Sequence, residues 1–88
     1  MPLLNPKPLP RTSLEPVCGA LAGVIRQRRL QRGLSLNRLA ALTRLSRQML
    51  SSIETNRRVP TIDTVARISR AFGLPCSRLV AEAERELS

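Results

Sequence analysis

Histidine, tryptophan and tyrosine are absent from the sequence, and Phe72 is its only aromatic residue. Without histidine, the chain lacks the side chain that most often acts as a general base and as a zinc ligand. The sequence also shows no paired carboxylates on a common face and no glycine-rich loop of the kind that holds phosphates. We therefore expect no enzymatic activity, no cofactor and no metal site, and a core that is almost purely aliphatic.

Cysteine and long apolar runs are also scarce. Cys18 and Cys76 are too few for a disulfide framework, and we interpret both as small buried hydrophobes rather than as a redox pair. No run of about 18 apolar residues is present, so no membrane-spanning segment is expected. No secretory signal is expected either, because the N-terminus lacks a basic region followed by an apolar stretch. These absences predict a reduced, cytoplasmic protein.

Acidic residues are few compared with basic ones. The sequence has 6 Asp and Glu against 15 Lys and Arg, for a net charge of +9, and Lys7 is its only lysine. No acidic residue occurs between Glu15 and Glu54. A surface that is merely solvated usually mixes both signs, so a region of one sign indicates an anionic partner.

Nucleic acid is the partner that this charge favours, because binding a line of phosphates releases their condensed counterions. Arginine is also the cation that forms bidentate contacts with phosphate and guanine. A membrane surface fits less well, since large apolar and aromatic residues are missing. RNA fits less well than DNA, because no aromatic platform is available to stack unpaired bases. A basic surface without a specific partner remains the alternative.

Residues 1–16 contain most of the prolines. Each proline removes a hydrogen-bond donor and disfavours helix at the preceding residue, so this segment is predicted to be an extended, flexible arm. Two interpretations stay open for it. Either it is a terminus without a role, or it touches DNA or another partner, although Lys7 and Arg11 give it only a slight positive charge.

The remainder, residues 17–86, is predicted to be one all-α domain of five short helices. Apolar residues recur there every three or four positions, and no alternating strand pattern is visible. Hydroxyl side chains precede three of the apolar segments as N-caps, and glycines follow two of them. The predicted caps and stops are Ser35, Ser46, Thr61, Gly33 and Gly73. The predicted inward-facing residues are Leu21, Val24, Ile25, Leu30, Leu36, Leu39, Ala40, Leu42, Leu50, Ile53, Ile62, Val65, Ile68, Phe72, Leu79, Val80 and Ala83.

The segment from Leu34 to Glu54 carries the most information about function. Two short helices joined by a turn of three or four residues form a helix-turn-helix if small Ala40 lets them approach closely and Leu45 fills the space between them. The second helix, about residues 46–55, then has an exposed outer face that can enter the major groove with its N-terminal residues first. That face consists of Arg47, Gln48, Ser51, Ser52 and Thr55.

A series of short motifs in fixed order extends this pattern over most of the chain. They are Ile25-Arg26, Arg32-Gly33-Leu34-Ser35, Leu39-Ala40, Leu45-Ser46-Arg47, Ile53-Glu54, Pro60-Thr61 and Ala71-Phe72-Gly73. In this order and spacing, the chain resembles the Cro and phage-repressor family of XRE-like helix-turn-helix proteins. The resemblance implies a five-helix, lambda-repressor-like DNA-binding bundle of prokaryotic or phage origin. It also implies a dimer that binds palindromic double-stranded DNA.

The resemblance also assigns roles to individual positions. Ser46, Arg47, Gln48 and Ser52 match base-facing positions of the family, and Ser51 lies on the same predicted face. Asn56, Arg57, Arg58 and the backbone before Thr61 match its phosphate-gripping loop, and the helix start at Ser35 can face a phosphate. Arg29 and Glu54 match positions that form a structural ion pair. The departures from the family are Leu36 in place of a glutamine, and Arg44 and Asn56 in place of glycines.

Several functions are compatible with these features. We expect a sequence-specific transcriptional regulator that acts as a homodimer. The alternatives are an antitoxin that binds a small toxin protein and regulates its own synthesis, or a restriction–modification controller protein. The dimer prediction rests on Leu79, Val80, Ala83 and Leu87 of the last helix, which otherwise simply cover the core.

Overall fold

The computed structural model describes residues 16–87, and that part of the chain consists of five α-helices without a strand. The predicted all-α, five-helix architecture is confirmed. The predicted arm lies outside the described residues except for Pro16, which begins the first helix, a position where proline is well tolerated. The helices are α1 (Pro16–Gln31), α2 (Leu36–Thr43), α3 (Arg47–Glu54), α4 (Ile62–Ala71) and α5 (Cys76–Arg85).

Hydroxyl side chains start the three middle helices, as the sequence predicts. The Oγ atoms of Ser35 and Ser46 each accept a hydrogen bond at 3.0 Å from the backbone N–H three residues later. Thr61 Oγ1 does the same at 3.1 Å for Thr64 N. Each bond satisfies a backbone donor that the helix itself leaves without a partner. α5 begins after Pro75 without a side-chain cap.

The two predicted glycine stops share one geometry. Gly33 and Gly73 have φ angles of 65° and 73°. After each glycine, a backbone N–H turns back to the carbonyl five residues earlier, Leu34 to Arg29 at 3.0 Å and Leu74 to Ser69 at 2.9 Å. This is the Schellman closure, and glycine suits it because it has no Cβ to oppose a positive φ.

The core is aliphatic apart from Phe72, as expected. α1 packs mainly against α5 and also against α3, while α2 lies against both α3 and α4. Leu39, Leu50 and Ile68 are fully buried where these helices meet. Leu45 and Met49 are half-buried against the same core, so the turn between α2 and α3 is filled as predicted.

The prediction of a core position is wrong for three residues. Leu30 is 51% exposed, Leu42 45% and Ile62 73%. Leu30 lies on the opposite side of α1 from Leu21, and Arg29 takes the inward position. Leu42 and Ile62 stand at the edges of their apolar stripes, where none of the five helices described covers them.

The apolar face of α5 serves mainly the core of its own chain. Leu79 and Ala83 are fully buried and Val80 is half-buried, which leaves Leu87 exposed. Of the two interpretations of this helix, the structure therefore favours the one in which it covers the core.

An ion-pair cluster also holds α5 to α1. Arg28 Nε donates to Glu82 Oε1 at 2.7 Å, its Nη2 donates to Oε2 of the same carboxylate, and Arg78 Nε lies 3.4 Å from Oε2. The hydrogen bond from Arg28 lowers the pKa of Glu82, and the positive charges of Arg28, Arg78 and Arg85 act in the same direction. The ionised form is therefore favoured in the folded protein.

This lowered pKa predicts an acid-dependent loss of stability. Because the folded-state pKa of Glu82 lies below the ordinary value of 4.5, its contribution to stability is present above that value and declines as the pH falls through the folded-state pKa. Urea denaturation at a series of pH values measures this decline. Glu82→Gln should be less stable than the parent chain at neutral pH and should lose less stability on acidification. Equal pH slopes for the two proteins would contradict the prediction.

Candidate nucleic-acid interface

α3 turns one face to solvent along its whole length. Leu50 and Ile53 are buried on the inner side, while Arg47 and Gln48 are exposed, and Ser51 and Ser52 are half-buried. At about 100° per residue, the outward positions span an arc of about 140° on one side of the helix. This arc contains Arg47, Gln48, Ser51, Ser52 and Thr55, the set that the sequence pattern predicted for it.

The N-terminus of α3 is open to solvent and carries no acidic residue in its first turn. Ser46, at the cap, is exposed, and its Oγ accepts the hydrogen bond from Met49 N, which leaves the hydroxyl hydrogen available to an external acceptor. The positive end of the helix dipole and the Arg47 guanidinium both contribute positive electrostatic potential at this end of α3. Such an end is suited to an anionic or acceptor-rich ligand.

Glu54 and Arg29 tie the other end of α3 to α1. Arg29 Nε lies 2.7 Å from Glu54 Oε2, and Arg29 Nη2 lies 3.0 Å from Oε1, so the contact is bidentate. Only 10% of the arginine side chain and 4% of the glutamate side chain is exposed. Arg29 Nη1 also donates to the Leu34 carbonyl at 2.7 Å, which adds the start of α2 to the same support. The helix-turn-helix is thereby held rigidly on α1.

The loop from Thr55 to Thr61 follows directly and is exposed apart from the half-buried Pro60. Asn56 adopts the left-handed conformation with φ of 58°, as expected for a residue that replaces glycine. The N–H groups of Arg57 and Arg58 both donate to the Ser52 carbonyl, at 2.8 and 3.2 Å. The loop backbone is thus folded back onto α3 while both guanidinium groups remain exposed.

The same loop lies close to the start of α1. A Cβ atom on Gly19 would approach the Asn56 side-chain nitrogen to 3.4 Å. The side chain of Asn56 therefore lies near the start of α1, and the space there would also admit an alanine at position 19.

The structure shows how the chain accommodates Leu36 and Arg44, which replace a glutamine and a glycine of the family pattern. Leu36 is half-buried and packs against the core, so the first turn of α2 has an apolar contact where the family has a polar side chain. Arg44 caps the C-terminus of α2 with φ of 61° and ψ of 28°. A non-glycine residue in this region costs about 1 kcal/mol, so the turn carries a modest backbone strain.

The exposed arginines of α3 and of the loop after it have no acidic neighbours in the part of the chain that the structure describes. Among residues 16–87, carboxylates lie within 4.0 Å of Arg28, Arg29, Arg67 and Arg78 only. Arg47, Arg57 and Arg58 are exposed without such a partner in that part of the chain. Arg38, in the first turn of α2 beside the Ser35 cap, belongs to the same set and was not predicted. The sequence feature that could have identified Arg38 is its position three residues after the predicted helix cap at Ser35.

Residues 16–87 bring together no group of three or more Cys, Asp or Glu side chains able to hold a metal ion. The helices described are all too short or too polar to cross a membrane. Neither finding conflicts with a surface that binds an extended anionic partner.

The fold and the exposed face of α3 define a DNA-binding domain of the helix-turn-helix type. A family model described as helix-turn-helix matches residues 25–79, more than half of the sequence, and the chain belongs to this family of DNA-binding regulators.

Individual relatives agree with this assignment. The HTH-type transcriptional regulator SutR of Escherichia coli K12 is 37% identical over 68 residues, which are 77% of this chain and 38% of SutR. The chain thus spans well under half the length of this curated relative.

Solved structures of regulators are similar in fold. The clp gene regulator ClgR of Corynebacterium glutamicum has a TM-score of 0.75 at 27% identity, with 93% of this chain and 80% of that chain covered. A variant of the restriction–modification controller protein C.Esp1396I has a TM-score of 0.74 at 25% identity, with 81% and 92% covered.

Proposed function

We propose that this protein binds double-stranded DNA sequence-specifically as a cytoplasmic transcriptional regulator, with α3 in the major groove. The observation that carries the proposal is the outer face of α3. There Arg47, which has no acidic partner among residues 16–87, stands on a helix held by a buried ion pair. A major groove is wide enough to admit one α-helix. Rigid support from α1 keeps this helix in a single orientation while it reads base edges.

The side chains at the start of α3 fit base recognition. Arg47 is suited to a bidentate contact with guanine, and Gln48 to the N6 and N7 atoms of adenine. The hydroxyls of Ser46, Ser51 and Ser52 are able to donate or accept at neighbouring base edges. These five residues constitute the proposed base-reading set.

The surrounding cations fit the phosphate backbone. Asn56, Arg57 and Arg58 in the loop, the backbone before Thr61 and the α2 start at Ser35 constitute the proposed phosphate-binding set. Such contacts position a protein on the duplex but carry no direct sequence information. We further propose that the protein acts as a homodimer on a palindromic site, because two-fold symmetric proteins match two-fold symmetric DNA.

Selection of bound duplexes from a random DNA pool, at about 150 mM salt, tests the base-reading set. We expect a palindromic consensus for the parent chain. Arg47→Ala should relax one base position in each half-site, at a cost of about 1–3 kcal/mol for the correct base. Arg85→Ala, an exposed arginine on α5, is the matched control and should leave the consensus unchanged. Selection without a consensus, with binding that disappears as salt rises, would contradict sequence-specific recognition.

The phosphate-binding set predicts a different response. Arg57→Ala should weaken binding to all sequences alike and reduce the slope of log K against log salt by about 1, because one phosphate contact is removed. Filter-binding or fluorescence titrations on the consensus site and on an unrelated duplex measure both quantities. A change of consensus in Arg57→Ala would instead assign base reading to the loop.

A restriction–modification controller role is the second candidate. It is favoured by the likeness to C.Esp1396I, of which 92% is covered. A selected consensus that lies upstream of neighbouring restriction and methylation genes supports this role. The antitoxin alternative remains a prediction, and co-purification of a small neighbouring protein with this chain tests it.

A further inference from the structure

A basic groove lies between the end of α2 and the outer side of α4, and none of the residues lining it belongs to α3. The charged residues of its lining are Arg44, Arg67, Arg70 and Asp63. Asp63 Oδ2 accepts a hydrogen bond from Arg67 Nε at 3.0 Å, so the charges of these two residues offset each other. Arg44 and Arg70 have no carboxylate within 4.0 Å among residues 16–87. The groove therefore carries two positive charges that the described part of the chain does not balance.

The groove is large enough for a small organic molecule rather than for a simple ion alone. Its volume is about 640 Å³, within the range of about 300–1,000 Å³ that is usual for small-molecule sites. Leu42, Ala66 and Ala71 also line it. Leu42 is 45% exposed, so its side chain is accessible to an incoming group. The lining thus combines two unbalanced cations with three apolar side chains.

The backbone of Arg44 is an independent indication that its side chain has a role. Arg44 adopts φ of 61° and ψ of 28°, a conformation that glycine occupies without steric cost. Strained backbone of this kind is found preferentially at ligand clamps and switch regions. A contact between the Arg44 guanidinium and an external anion would offset the cost of the strain.

The turn that carries Arg44 is held in place by the protein itself. Thr43 is buried, and its Oγ1 donates to the Leu39 carbonyl at 2.8 Å and accepts a hydrogen bond from Leu45 N at 3.3 Å. On the other side of the groove, α4 packs against α2, which fixes the backbone of Arg70 relative to this turn. Because both arginines project from fixed backbone, less conformational entropy is lost when they bind a common ligand.

We propose that this groove binds a small phosphate monoester, with the phosphate between Arg44 and Arg70 and the organic part against Leu42 and Ala66. A phosphate monoester carries a charge of about −1.5 to −2 at pH 7, which matches the two unbalanced arginines. Guanidinium groups also form bidentate hydrogen bonds with phosphate oxygens. A monocarboxylate, or a single phosphodiester of DNA, balances only one of the two cations. The site goes beyond the proposed function, since none of its residues belongs to the base-reading or phosphate-binding sets.

Titration of the isotope-labelled full chain with butyl phosphate, in a phosphate-free buffer and followed by NMR, tests the site. We expect the signals of residues 42–44 and 66–71 to shift together, with a dissociation constant of about 1 mM for so small a probe. Inorganic phosphate should bind about 10-fold more weakly, because it lacks the aliphatic part. Butanol should cause no shifts, because it lacks the charge. Equal binding of inorganic phosphate and butyl phosphate would contradict the assignment of a monoester.

The variant Arg44→Gly separates ligand binding from folding. Glycine suits the positive φ at this position, so the variant should be at least as stable as the parent chain, and urea denaturation checks this. It should nevertheless bind butyl phosphate about 10-fold more weakly, because one of the two guanidinium groups is removed. Arg70→Gln should show a similar loss. Arg26→Gln is the matched control: it removes an exposed arginine of α1 that does not line the groove, and it should bind like the parent. Unchanged binding in Arg44→Gly and Arg70→Gln would overturn the proposal.

The pattern of shifts also distinguishes this site from other ways of attracting anions. Equal shifts around Arg26, Arg44 and Arg57 would mean that butyl phosphate is attracted to the cationic surface as a whole, which would overturn the proposal. Shifts at the groove with duplex DNA but not with butyl phosphate would overturn it too, and would assign Arg44 and Arg70 to the DNA backbone. The titration with butyl phosphate contains no DNA, so its failure leaves sequence-specific DNA binding intact. Selection of duplexes without a consensus, in turn, leaves the groove intact.

Discussion

Replacing Glu54 with alanine should lower the free energy of unfolding by about 3–5 kcal/mol, as expected when one partner of a buried ion pair is removed. The physical reason is that Arg29, with 10% of its side chain exposed, would keep its charge without a counter-ion in an environment that water hardly reaches. The hydrogen bond from Arg29 to the Leu34 carbonyl offsets little of this cost. Urea denaturation followed by circular dichroism measures the change.

Two control variants test whether the expected loss of stability is specific to the buried Arg29–Glu54 pair or common to any salt bridge. Asp63→Ala removes the partner of an exposed pair, Arg67–Asp63 at 3.0 Å, and should cost less than about 1 kcal/mol. The double variant Arg29→Met with Glu54→Leu should be more stable than Glu54→Ala, because no unpaired charge remains. A loss in Glu54→Ala no larger than in Asp63→Ala would mean that the pair is accessible to solvent.

Loss of the Arg29–Glu54 ion pair should also weaken DNA binding. Glu54 is the last residue of α3 and precedes the loop with Arg57 and Arg58. Loss of its contact with α1 leaves the end of α3 unsupported, so Glu54→Ala should bind DNA more weakly than its folded fraction alone explains.

Leu50→Ala is the second change with a large expected effect, a loss of about 2–5 kcal/mol. Leu50 is fully buried at the centre of the inner face of α3, and an alanine there leaves a cavity as well as less buried apolar area. Since small domains have a total stability of about 5–15 kcal/mol, this change removes a large fraction of it. Thermal and urea denaturation both measure the effect.

Leu30→Ala is the matched control for this substitution. It removes the same atoms from a leucine that is 51% exposed, and surface changes of this kind usually stay within about 0.5 kcal/mol. Similar losses in both variants would show that the packing under α3 is looser than the structure indicates. The comparison also tests the correction that Leu30 is not part of the core.

The ends of the helices were predictable because they depend on neighbours in the sequence. Ser46 reaches the N–H three residues later, and Gly33 reverses the chain within one turn, so only local geometry is needed. The positive φ at Asn56 follows the same logic. The outer face of α3 was predictable as well, since Leu50 and Ile53 define its inner face by helical periodicity alone.

The Arg29–Glu54 contact joins residues 25 apart, and its expectation came from a family resemblance rather than from spacing. The cluster of Arg28 with Glu82, 54 residues apart, had no signal at all in the sequence. It exists because α1 packs along α5. Several acidic residues of the sequence were possible partners for Arg28. Only the packing of α1 against α5 brings Glu82 next to it.

By itself, the sequence determined the helices, their caps and the face of α3 turned to solvent, since these depend on interactions within a few residues. The tertiary structure decided which edge residues are covered. By periodicity, Leu42 and Ile62 fit their apolar stripes as well as Leu39 and Val65 do. They remain exposed because none of the five helices described packs over them. Periodicity alone could not decide this, because burial at the margin of a helix face depends on neighbours that are distant in the sequence.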